Sequence, residues 1–122
     1  MSKSANEADI GPLLHARGWH VTWTLEESRV RWEKVTRDLQ APYWGCMEDY
    51  TNALYVRKWI EEALELLSEI DAIRFKEMID PLDARFISET SLFDGKLPGA
   101  GPEWWFLRIP NRLGALADWP LS

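Results

Sequence analysis

The chain has 122 residues, 46% of them hydrophobic and 28% charged, with a net charge of −6. Those values suit one domain that buries a core without disulfides or a structural metal, and they exclude a disordered or low-complexity chain. The excess charge is local: residues 46–73 hold seven acids against two bases, and no basic block occurs, so the electrostatic footprint of a nucleic-acid binder is missing.

The single cysteine, Cys46, rules out an intrachain disulfide, and residues 1–7 lack the apolar core of a signal peptide, which together point to the cytoplasm. The richest apolar stretch, residues 53–73, is interrupted by Arg57, Lys58 and several glutamates, so no membrane span is expected.

In chain order, residues 1–23 contain Gly11-Pro12 and Gly18 and read as an N-terminal arm, with a short extended piece at 19–23 where bulky and polar residues alternate. Thr24 and Glu27 form a capping box, in which each side chain satisfies the other's orphan amide, so a first helix starts there. Leu25, Trp32, Val35 and Leu39 recur at helical spacing, Glu27/Arg31 and Glu33/Arg37 pair on the other side, and Ala41-Pro42 ends the run after about residue 40. A second helix is expected from about 48 to 67, with Glu48 and Asp49 at its positive end and an apolar arc covering half its circumference. So wide an arc predicts a central helix touched on two sides. Glu61, Glu62, Glu65 and Glu69, with Lys58, fall on the opposite arc as an outward acidic ridge.

Ser68 and Asp71 repeat the helix-start pattern, and Ile70, Ile73, Ile79, Leu82 and Phe86 continue at helical spacing. Pro81 either kinks this helix or opens another, and the kink is preferred. The glycines and prolines of 94–102 make a loop, and the aromatic run 103–110 is expected to lie extended across the helices. The fold class is therefore mainly α: a small three- to four-helix bundle with an extended aromatic C-terminal segment packed across it. Within this single domain, 1–23 is the arm, 24–90 the helical core and 91–122 the loop and tail.

Candidate chemistry is sparse. His15, His20 and Cys46 are the only soft metal ligands and match no zinc spacing, so no metal or cofactor is expected. Glu48 and Asp49 follow Cys46 and would raise its thiol pKa, against a nucleophilic role. Gly95, Gly99 and Gly101 lack the Gly-Lys-Ser/Thr ending of a phosphate loop. Glu62 with Glu65, and Asp80 with Asp83, are one helical turn apart, but no neighbour is placed to push their pKa values apart.

Eight tryptophans are the least ordinary feature. Trp32 and Trp59 sit on apolar helical faces and are expected in the core. Trp104 and Trp105 are adjacent, so in an extended segment they point to opposite sides, which leaves one near the surface as an interface anchor. The functional expectation is a protein-binding module, specifically an acidic bacterial immunity protein or antitoxin that neutralises a basic toxin domain through Glu61, Glu62, Glu65, Glu69, Trp104, Trp105 and Arg108. The alternatives are an adaptor that self-associates through Trp59 and the Trp104 region, and a small enzyme using Glu62, Glu65 or His20.

Overall fold

The structure, a computed structural model, describes residues 5–118 and is mainly helical. Its elements are α1 (Glu7–Ala16), α2 (Leu25–Asp38), α3 (Met47–Leu66), α4 (Glu69–Ser88), β1 (Thr90–Leu92), a 3-10 turn (Trp104–Leu107), β2 (Arg108–Pro110) and a final 3-10 turn (Gly114–Asp118).

The first difference from the sequence expectation is α1, which replaces a loose arm. Ile10 and Leu14, four residues apart, are fully buried, and that burial outweighs the breaker residues between them. Pro12 has no N–H to offer the Ala8 carbonyl, and both residues are exposed, so the break in the hydrogen-bond ladder lies on the solvent side of the helix. Gly11 is buried because the Trp23 carbonyl passes where its side chain would be: a Cβ there would lie 2.6 Å from that oxygen. Upstream, Ala5 bridges to Leu67, and its N–H donates to the Leu66 carbonyl at 3.0 Å, tying the start of the domain to the α3–α4 junction. Residues 19–23 are not a strand, yet Trp19, Val21 and Trp23 are half-buried and His20 and Thr22 exposed, as alternation requires.

Helix α2 opens on the expected capping box. The Glu27 N–H donates to Thr24 Oγ1 at 3.0 Å and the Thr24 N–H to Glu27 Oε1 at 2.9 Å. Its buried stripe, Leu25, Ser28, Trp32 and Thr36 with Leu39 just beyond, is one narrow face packed on both α3 and α4. The buried hydroxyls are satisfied within the helix, Ser28 by the Leu25 carbonyl and Thr36 by that of Glu33.

Helix α3 is the central element and meets α1, α2, α4 and the Trp104–Leu107 turn. Half of its residues are buried, Tyr50, Leu54, Trp59, Ile60 and Ala63 among them. Helix α4 is capped by Ser68, which accepts from the Asp71 N–H at 3.4 Å, and runs unbroken through Pro81, so no new helix starts there. Its core face is Phe75, Ile79, Leu82 and Phe86. Ile70 and Ile73, expected on that face, are 65% and 57% exposed. At 100° per residue they stand roughly 150° from the mean direction of the buried four, a separation the loose spacing pattern conceals.

Beyond α4, β1 and β2 pair antiparallel, with Ser91 opposite Ile109. The aromatic run is not extended at Trp104–Leu107, where it winds into a 3-10 turn that inserts Trp105 and Phe106 into the core. Phe106 packs on Tyr55 with ring centroids 4.9 Å apart. The final turn docks on the loop before α3: the Ala115 N–H donates to the Tyr43 carbonyl at 2.8 Å, and Gly114, at φ +53°, permits the close approach.

Candidate functional site

Helices α3 and α4 run in opposite directions from the Leu67–Ser68 junction, and between them lies an open groove of about 950 Å³. Its floor and walls are built from Arg57, Leu64 and Leu67 on the α3 side and Ala72, Asp83 and Ile87 on the α4 side, with Trp104 at the end nearest the aromatic turn. Ile73 adds to the α4 wall, and Glu61, Glu65, Glu69 and Lys76 complete the rim.

The groove is held by a buried ionic network. Arg57 is 3% exposed, and its Nε and Nη2 donate to the two carboxylate oxygens of Asp83 at 2.9 and 3.0 Å, while Nη1 donates to Glu61 Oε1 at 2.9 Å. Trp32, from α2, adds its indole N–H to the same Asp83 oxygen that Arg57 Nε uses, at 2.9 Å. The guanidinium also lies 4.8 Å from the Trp105 ring centroid, a cation–π arrangement. Burial by itself lowers the Arg57 pKa, but the hydrogen bonds and charges of Asp83 and Glu61 outweigh it and leave the pKa raised, so the group stays cationic. The walls above this network are apolar and open: Ile73 is 57% exposed, Ile87 46% and Trp104 38%.

The structure gathers four of the seven expected binding residues at this groove, Glu61, Glu65, Glu69 and Trp104. It assigns the other three elsewhere. Glu62 is on another side of α3, where Glu62 Oε1 accepts from the Trp19 indole N–H at 3.0 Å. Trp105 is buried beneath Arg57. Arg108 is half-buried and donates to Thr90 Oγ1 and the Thr90 and Ile87 carbonyls, which fastens β2 to β1 and the end of α4. The acidic ridge is therefore not one outward face. Glu61 is committed to Arg57, Glu62 to Trp19, and Glu69 belongs to α4 rather than α3, leaving Glu65 and Glu69 as the exposed pair.

None of Arg57, Asp83, Leu64, Ile73 and Ile87 is expected in a binding site from the sequence, where Asp83 pairs with Asp80 as a carboxylate and Ile73 reads as a core position. One signal was present: Arg57 shares the apolar side of α3, and Asp83 sits beside the buried face of α4, a pattern in which each needs an opposite charge.

Glu62 and Glu65 face different sides of α3, and His20 is exposed. Cys46 is exposed with its pKa raised: the Asp49 backbone lowers it, but the Asp49 carboxylate accepting from Sγ at 3.3 Å and the Glu48 carboxylate act in the opposite direction. Among the described residues no group of three or more His, Cys, Asp or Glu side chains is placed to hold a metal ion, and no helix is long and apolar enough to cross a membrane. Comparison with protein-family models, curated proteins and solved structures finds no match to the chain.

Proposed function

We propose that this protein is a binding module for another protein and that the partner sits in the α3–α4 groove. The observation that carries the reading is the exposure of Ile73, Ile87 and Trp104 together on the walls of one groove, beside Glu65 and Glu69. Apolar side chains gathered in a concave surface and rimmed by polar groups mark interaction sites more often than isolated exposed residues do. The Arg57–Asp83 network beneath them supplies a fixed base, which lowers the ordering cost of association.

The specific form of the proposal is an intracellular inhibitor of a basic partner, of the immunity-protein or antitoxin kind. The acidic chain and the acidic rim support it, because opposite charge steers encounter and raises the on-rate.

The test is site-specific photocrosslinking in the native host, with benzoylphenylalanine at position 73 or 87 and, as control, at Val30 on the exposed side of α2. The expected result is one discrete adduct from the groove positions and none from position 30. Absence of an adduct, or the same adducts from all three positions, overturns the proposal. An adduct with an acidic protein would keep the binding module and end the inhibitor form.

A further inference from the structure

Resting on that reading, we infer that the groove takes an amphipathic α-helix of the partner, with its basic residues gathered at the end lying over Glu65 and Glu69. The groove is bounded by two helices, and a third helix packs into such a furrow at ordinary interhelical distance. Along α4 the lining runs from Glu69 to Ile87, which at 1.5 Å per residue is about 27 Å, the length of a helix of about 18 residues. Ile73 and Ile87 are four helical turns apart on that wall, so the occupant must present apolar side chains over about 21 Å, as helix anchors at i, i+4 and i+7 do when the pattern continues through i+14.

Charge decides the chemistry of the occupant and its direction. Among the described residues Glu65 and Glu69 make no ion pair, whereas Lys76 is engaged by Asp80 at 2.8 Å and Arg57 by Asp83 and Glu61. The unneutralised charge is thus negative and sits at the junction end, while Ile87 and Trp104 make the far end apolar. A helix with lysines or arginines in one half and bulky apolar residues in the other matches both ends. A second copy of this chain would set the same two glutamates against a surface of net charge −6, which disfavours self-association through the groove. A small molecule is disfavoured too, because walls as open as Ile73 and Ile87 would leave much of it in water.

The test uses the full chain and fluorescein-labelled synthetic helices of about 18 residues, leucine-faced, with lysines confined to one half. Controls carry glutamate in place of lysine, or the same composition with the leucine order scrambled. The lysine helix should bind, and Ile73→Asp or Ile87→Asp should weaken it by about tenfold or more, the loss that follows removal of one interface anchor. The Glu65→Lys/Glu69→Lys variant should weaken it similarly and bind the glutamate helix better than wild type does. Equal binding of the scrambled peptide, indifference to the groove variants, or no binding of any helix would overturn the inference. So would sedimentation showing a wild-type dimer that Ile73→Asp dissolves. Crosslinking from positions 73 and 87 without helix binding would sink this inference alone, whereas absent crosslinking sinks the binding module itself.

Discussion

Arg57 and Asp83, 26 residues apart in the chain, meet through two parallel hydrogen bonds of 2.9 and 3.0 Å in a place where the arginine is 3% exposed. The pair joins α3 to α4, and Trp32 ties α2 to the same carboxylate. Asp83→Ala leaves a buried cation with only Glu61 and strands the Trp32 N–H, so it should lower stability by about 3–5 kcal/mol. The double variant Arg57→Met/Asp83→Leu removes both buried charges together and should recover the part of that loss due to the unpaired cation, while the Trp32 N–H stays without its acceptor. Urea unfolding of the two variants makes the comparison. Equal destabilisation by both would show that packing, not charge, is what Asp83 supplies.

The adjacent tryptophans should behave differently. Trp105 is 1% exposed and packed by Arg57, Trp104 and Phe106, so Trp105→Ala is expected to lose about 3–5 kcal/mol. Trp104 is 38% exposed and rests edge-on against Phe86, so Trp104→Ala should lose about 1 kcal/mol of stability and, under the proposed function, act mainly on binding in the groove. Thermal melts paired with the peptide assay separate the two effects.

Gly11 gives a prediction opposite in sign to the usual helix rule. Replacing glycine by alanine inside an exposed helix commonly stabilises by about 0.5–1 kcal/mol. Here the added Cβ would stand 2.6 Å from the Trp23 carbonyl oxygen and 3.1 Å from that of Thr22, both backbone atoms that cannot swing away. Gly11→Ala should therefore destabilise by about 1–3 kcal/mol, as overpacking does. A higher melting temperature for this variant would mean that α1 can shift off the 22–23 segment at no cost.

Tyr43 and Tyr50 make the protein sensitive to alkali. Burial, reinforced by the negative charge of Asp49, pushes the Tyr43 phenol up to about 12, and burial raises Tyr50 as well. Because the unfolded chain ionises its tyrosines first, near pH 10, it holds fewer protons than the native state between about pH 10 and 12. The Tyr43 contribution is complete below pH 10 and falls as pH rises through that window. Denaturant midpoints measured across it should drop, and Tyr43→Phe should drop less steeply.

Helices α2, α3 and α4 were legible in the sequence because their determinants are local. The Thr24–Glu27 box, the Ser68 cap and the spacing of Trp32, Trp59, Ile79, Leu82 and Phe86 act within one or two turns, where side-chain periodicity translates directly into a buried face. Trp32 and Trp59 are fully buried as that spacing implies. Helix α1, the turn at Trp104–Leu107 and the groove depend instead on what packs against them from far along the chain. Gly11 and Pro12 signal a break until Ile10 and Leu14 are covered by other elements. Arg57 stands on the apolar side of α3 with only Glu61 as a local partner until Asp83 arrives from the next helix and desolvation makes the pairing obligatory. Local sequence sets where α2, α3 and α4 form, because capping and periodicity act within their own turns. Tertiary structure decides which side chains are left exposed at the groove, because burial, and the charge pairing that burial demands, are properties of neighbours rather than of spacing.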